Sequence, residues 1–286
     1  MLFFLIIYLI ISLSNSLQIY TKQIITNSNQ NLIIKYSNPA MLKEDVPPVL
    51  FIHGSNAGSW IYEEHWFKYL NYFGFTTYGL NMRGSNESGN ILNDTLKIND
   101  LVNDLTFVLN NFDNIHIHNS SSIELLGMEC KNKESSYNKP IIVAHSFGGI
   151  ILTKLFENEN INNMISGSIW LSPFPHTNDI DYIFRFLFSD KLMKILVNIF
   201  TGKIKDKYDI QKLLFYDNEI QIETVKNYTD RFEEDSKFPI DMESLAENFP
   251  IDSNIKYNNI PKLFIGSNDD ILVDCTTVNE TARLFN

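Results

Sequence analysis

A chain of 286 residues with 44% hydrophobic residues has the size and apolar content of one large α/β domain. Its net charge of −11 excludes a nucleic-acid partner and docking to an anionic membrane surface, both of which call for basic patches. Cys130 and Cys275 are the only cysteines, so no disulfide framework is specified, and the fold expected below separates them across the sheet.

The first element is apolar throughout. Residues 2–11 read LFFLIIYLII, and Ser14-Asn15-Ser16 follows with small residues at a spacing that signal peptidase accepts. The run is short for a membrane span and reads as a signal peptide over 1–16. It lacks a basic start, which leaves an uncleaved anchor as the alternative. The expected location is the secretory pathway, secreted or in an endomembrane lumen, with no stable membrane span after signal cleavage. Sequons at Asn86, Asn93, Asn119, Asn227 and Asn279 permit glycosylation without arguing for it in a chain so rich in Asn, Ser and Thr.

Residues 18–25 and 32–36 predict an opening hairpin. Val49-Leu50-Phe51-Ile52 is a continuous apolar run, the mark of a strand covered on both faces. It leads into His53-Gly54-Ser55-Asn56-Ala57-Gly58, a loop whose glycines free backbone N–H groups near the strand end, where they can hold an oxyanion. Trp66, Tyr69, Leu70 and Phe73 recur at helical spacing and predict the buried face of the next helix, which Gly74 ends. A strand over 75–81 and a helix with Leu101, Leu105, Val108 and Leu109 inward continue the alternation, so the class is α/β with a doubly wound, mostly parallel sheet. Residues 112–138 are polar and read as a surface insertion. His116 and His118 alternate with Ile115 and Ile117, which places both imidazoles on one face of a strand. No third ligand accompanies them, so they read as an exposed polar face and no metal is implied.

Ile141-Ile142-Val143-Ala144 is the next buried strand, and Ile150, Ile151, Leu155 and Phe156 mark the inner side of the helix that follows. Between them lies Ala144-His145-Ser146-Phe147-Gly148. Small residues two places either side of Ser146 allow strand and helix backbones nearly to touch. The Ser146 hydroxyl is then held clear of the chain, beside backbone N–H groups and at the positive end of a helix. A strand over 165–171 runs into Ser172-Pro173-Phe174-Pro175-His176. Residues 177–258 carry helical periodicity, with Ile183, Phe184, Phe186, Leu187, Leu192, Ile195, Leu196 and Ile199 on much of the circumference, and read as a helical lid. The last strand is Lys262–Gly266, followed by Asp269, Asp270 and a helix over 276–285. The domain reading is therefore a core over 17–176, a lid over 177–258 and the second part of the core over 259–286.

Four segments in this order, VLFIHGSNAGSW, TYGLNMRGSNES, IIVAHSFGG and PKLFIGSNDDILV, resemble the α/β-hydrolase superfamily, most closely its esterase- and lysophospholipase-like serine hydrolases. The resemblance runs from about Pro47 to the C-terminus. It implies Ser146 as nucleophile, the N–H groups of Ser55 and Phe147 as oxyanion hole, and Asp269 as triad acid, with Asp270 its near rival. It also implies a structural role for Arg83-Gly84, no cofactor, and a small apolar ester or lipid as substrate.

One departure stands out. The superfamily's general base is a His that follows one more strand after the acid, and this sequence has no His after His176. The reading is of a chain truncated before the catalytic His, its last strand and helix absent, and Lys262–Gly266 left as a sheet edge. His176, at the entrance to the lid, is the candidate substitute base. Two functions follow: a serine hydrolase forming an acyl-enzyme on Ser146, impaired for want of its base, or a non-catalytic hydrolase-fold protein that binds a lipid or a partner in the same pocket.

Overall fold

Leu50 and Ile52 face one side of the central strand and Val49 and Phe51 the other, and all four are buried. That double burial needs helices on both faces of the sheet. The computed structural model describes residues 17–43, 46–85, 87–89, 95–116, 139–174, 221–235, 238–248, 259–270 and 273–285. The strands are β1 (Tyr20–Ile25), β2 (Asn31–Ser37), β3 (Val49–Ile52), β4 (Thr77–Asn81), β5 (Ile141–His145), β6 (Gly167–Leu171) and β7 (Lys262–Ile265). Among the described residues they form one sheet in the order β1-β2-β4-β3-β5-β6-β7. The β1–β2 hairpin is antiparallel and β2 joins β4 antiparallel; from β4 to β7 every pairing is parallel. This is the doubly wound, mostly parallel sheet of the α/β-hydrolase fold.

One face carries a continuous helical stretch composed of α1 (Trp60–Tyr62), a π-helical turn (Glu63–Phe67) and α2 (Lys68–Tyr72). The other carries α3 (Ile98–Asn110), the short α4 (Phe112–Ile115) and α5 (Phe147–Leu155). After β5 and α5, α6 (Ile161–Met164) leads into β6. Between β6 and β7 lie α7 (Ile222–Asp235) and α8 (Met242–Glu247), and α9 (Cys275–Arg283) follows β7.

Three expectations change. Trp66, Tyr69 and Phe73 are exposed, and Tyr62 and Phe67 fill the face of α1–α2 against Phe51. The physical reason is the π-helical turn: its wider hydrogen-bonding ring sets the residues after it off the 3.6-residue period from which that face was read. Residues 112–115 are not part of a polar insertion but the helix α4, whose Phe112 and Ile115 are buried. His116 caps that helix in place of sitting on a strand, and its Nδ1 meets the Tyr78 hydroxyl at 2.8 Å. His118, Cys130, His176 and the apolar run over 183–199 lie outside the described residues. Cys275 is free. Among the described residues no helix is long and apolar enough to cross a membrane.

At the far edge of the described sheet, β7 alternates half-buried and exposed residues, with Leu263 50% and Ile265 43% exposed. Phe264 points the other way and stacks on Trp170, ring centroids 4.4 Å apart.

Candidate active site

β3, β4, β5, β6 and β7 run parallel, so the loops after their C-terminal ends share one rim of the sheet, where open α/β sheets bind ligands. Ser146 occupies that rim between β5 and α5 with φ 51° and ψ −119°. A non-glycine residue there is strained by about 1–3 kcal/mol and persists only when its surroundings over-determine it. Here they do. The Ser146 N–H donates to the Leu171 carbonyl at 3.0 Å, and its own carbonyl accepts the N–H groups of Gly149 at 2.9 Å and Phe174 at 3.0 Å. Its side chain makes no capping bond to α5. The hydroxyl is thus held off the backbone by the turn itself.

The small neighbours are required by contact. A Cβ on Gly148 would lie 2.7 Å from the His53 carbonyl oxygen and 2.9 Å from that of Ile52, so α5 meets the end of β3 backbone to backbone. A Cβ on Gly54 would lie 3.2 Å from Ser146 Cβ and 3.3 Å from His145 Nδ1. The loop after β3 therefore rests directly on the elbow. Phe147 opens α5, so its N–H has no acceptor within the helix. Neither it nor the Ser55 N–H donates to a backbone carbonyl among the described residues. The structure thus brings Ser146, Ser55 and Phe147 to one place.

Asp269 and Asp270 lie on the loop after β7. Asp269 is exposed, and its N–H donates to Ser267 Oγ at 3.3 Å. Asp270 is half-buried, and its Oδ1 accepts the Val273 N–H at 2.9 Å. Burial lowers the pKa of His145, and the charge of Asp270 acts against that shift. Asp269 makes no hydrogen bond to an imidazole among the described residues.

His53 is fully engaged. Its Nδ1–H donates to the Gly54 carbonyl at 2.7 Å and its Nε2 accepts the Met82 N–H at 3.1 Å, the one tautomer that serves both. Burial lowers its pKa, with the Gly54 carbonyl and Asp235 acting the other way. It is a neutral strut between two rim loops and has no nitrogen left to accept a proton. Arg83 donates to both oxygens of buried Asp104 at 2.6 Å each and pairs with Asp100 at 3.1 Å, fixing the loop after β4 to α3. Among the described residues no three His, Cys, Asp or Glu side chains gather where they could hold a metal.

Sequence reasoning missed a clasp on the same loop. Trp60 Nε1–H donates to Asp235 Oδ2 of α7 at 2.7 Å, Phe232 and Tyr228 meet the indole edge-on at 5.3 and 5.5 Å, and the Arg231 guanidinium lies 5.2 Å from its centroid. Trp60 is visible in the first motif, but no spacing signal ties it to a carboxylate 175 residues away.

Among the solved structures that share the fold are the following three. A membrane phospholipase A called a bacterial virulence factor aligns at TM-score 0.59 and 15% identity, over 94% of this chain and 76% of that one. A candidate lipase from Acinetobacter baumannii AYE aligns at 0.61 and 14%, over 94% and 80%. The epoxide hydrolase VrEH1 from Vigna radiata aligns at 0.56 and 15%, over 93% and 85%. No curated protein matches the chain. Residues 46–230, which span the loop after β3, the elbow and the first part of α7, match the family described as Serine aminopeptidase, S33 (Hydrolase_4). By that match and by its sheet, the chain is a member of this family of α/β-hydrolase serine hydrolases.

Proposed function

We propose that the protein is a serine hydrolase acting on carboxylic esters with an apolar moiety, through an acyl-enzyme on Ser146. The observation that carries this reading is the strained elbow at Ser146, with Gly54 pressed against it and two backbone N–H groups beside it. In that arrangement Oγ attacks the ester carbonyl, the oxyanion falls to the Ser55 and Phe147 N–H groups, and the alcohol leaves with a proton. Water then attacks the acyl-enzyme, releasing the carboxylic acid and restoring the Ser146 hydroxyl. The phospholipase and lipase among the similar structures, together with the Phe-, Leu- and Ile-rich sequence of 183–199, support an apolar acyl or alkyl group. The family's description as aminopeptidase makes an amide the competing substrate.

His53 is spent on two backbone bonds and does not serve as the general base. The competing function is a non-catalytic protein that binds a lipid or partner in the same pocket. A fluorophosphonate separates the two. Labelling of the full chain that disappears in Ser146→Ala supports the hydrolase, and hydrolysis of p-nitrophenyl butyrate over alanine p-nitroanilide supports the ester. A wild-type chain that stays unlabelled after prolonged incubation overturns the acyl-enzyme reading.

A further inference from the structure

We infer that Asp235 is a positioning residue for the oxyanion loop: through Trp60 it makes the geometry of Gly54–Ser59 depend on the docking of α7. The inference rests on the proposed acyl-enzyme chemistry at Ser146. Both ends of this loop are tied to the core. His53 holds the start, between the Gly54 carbonyl and the Met82 N–H. At the other end the Ser59 N–H donates to Asn81 Oδ1 at 2.6 Å, and Asn81 Nδ2 is itself held by Glu87 Oε2 at 2.7 Å. The middle, from Ser55 to Gly58, carries the oxyanion donor and includes Asn56 at φ 57°.

The contacts of this part of the chain with α7 are to Ala57, Gly58 and Trp60. Val225, Tyr228, Phe232 and Asp235 recur at helical spacing on the side of α7 that turns to the core. Val225 and Phe232 are buried, and Phe232 packs with Ala57 and Trp60. Asp235 takes the indole N–H, while Arg231, one turn earlier, lies over the same ring. The pair brackets Trp60 with opposite charges, so the carboxylate is offset beside a loop whose task is to receive a negative oxygen. The contact extends to the loop backbone: a Cβ on Gly58 would lie 2.9 Å from Asn81 Oδ1, 2.9 Å from Trp60 Cδ1 and 3.2 Å from Asp235 Oδ2. Gly58 is thus gripped between a core side chain and an α7 side chain. A displacement of α7 pulls on Trp60 and Gly58 and, three residues earlier, on the Ser55 N–H. The segment that follows α7 is anchored separately: the Leu96 N–H donates to the Pro239 carbonyl and the Ile98 N–H to Ser244 Oγ. Loss of the clasp therefore loosens the loop without detaching that segment.

The test uses the full chain and n-butylboronic acid. Boron accepts a lone pair of Ser146 Oγ, the hydroxyl proton passes to solvent, and the product is a tetrahedral borate anion with one oxygen in the oxyanion hole. Affinity is read by calorimetry, the adduct by ¹¹B NMR and the loop by amide hydrogen exchange over 54–58. Asp235→Ala and Trp60→Phe each weaken the boronate about tenfold, the worth of one hydrogen bond to a charged acceptor. Asp235→Asn, whose amide oxygen still accepts the indole N–H, stays within about twofold. A merely structural role lowers the melting temperature without this rescue. Exchange over 54–58 rises in Asp235→Ala and Trp60→Phe and not in Asp235→Asn. Wild-type affinity and exchange in a folded Asp235→Ala or Trp60→Phe overturn the inference. If the wild-type chain forms no tetrahedral borate, the acyl-enzyme reading falls, and hydrogen exchange alone still decides whether the clasp holds the loop.

Discussion

His53 ties the loop after β3 to the loop after β4 and stays neutral in doing so. Burial depresses its pKa, and burial does the same to His145, so below about pH 6.5 the unfolded chain takes up protons that the folded chain refuses. Their contribution to stability is complete above about pH 6.5 and is lost as pH falls towards the depressed values. Glu63 and Asp104, whose carboxyls burial pushes upward, act with the opposite sign. The contribution of His53 is therefore isolated by comparison: between about pH 7.5 and 5.5 the melting temperature drops further in the wild type than in His53→Gln. Equal drops would contradict the strut. Gly148 is the second residue whose role is decided by contact. Gly148→Ala places a methyl against two carbonyl oxygens that cannot yield, and an unfolding midpoint in urea lower by the equivalent of about 1–3 kcal/mol is expected. The need for a small residue there was legible in the sequence; that its neighbours are the carbonyls of Ile52 and His53 was not.

Among the elements, the α1–α2 stretch departs most from simple pattern reading. Periodicity located the helix, but the π-helical turn carried Trp66, Tyr69 and Phe73 to the surface and gave the core Tyr62 and Phe67. A pattern read at 3.6 residues per turn cannot see a local change of that number. The sequence marked β7 as apolar, and its outward residues Leu263 and Ile265 are exposed at the edge of the described sheet. Such an edge is a template for pairing with another chain. Ile265→Lys is expected to reduce self-association in light scattering while leaving the melting temperature within about a degree or two, because a half-exposed side chain contributes little burial. An unchanged scattering profile would show that the edge is not the adhesive surface.

Over the whole molecule, a strand pairing and an aromatic cluster are the main ties of the last described segment to the rest. β7 pairs with β6, and Trp170 gathers Phe264, Phe156 and Phe285 at 4.4, 5.3 and 4.8 Å. Residues far apart in sequence thus hold α9 to the core. Phe264→Ala removes the stacked ring at the cluster's centre and is expected to cost about 2–3 kcal/mol. The loss is local: amide exchange rises over 262–265 and 275–283 while β3 and β5 stay protected, as for a segment that opens on its own. Uniform loss of protection would mean that the segment unfolds only with the whole.

The sequence by itself determined the α/β class, the order of strands and helices along the chain, and the elbow at Ser146. Each of these is written in local patterns: apolar runs, helical spacing, and small residues flanking a serine. Only the tertiary structure decided what meets across the rim: that His53 spends both nitrogens on the backbone, and that Asp235 grips Trp60. Apart from the His53–Gly54 bond, those pairings join residues 29 and 175 positions apart. Their distances are set by the packing of helices on a twisted sheet, and no spacing along the chain encodes them.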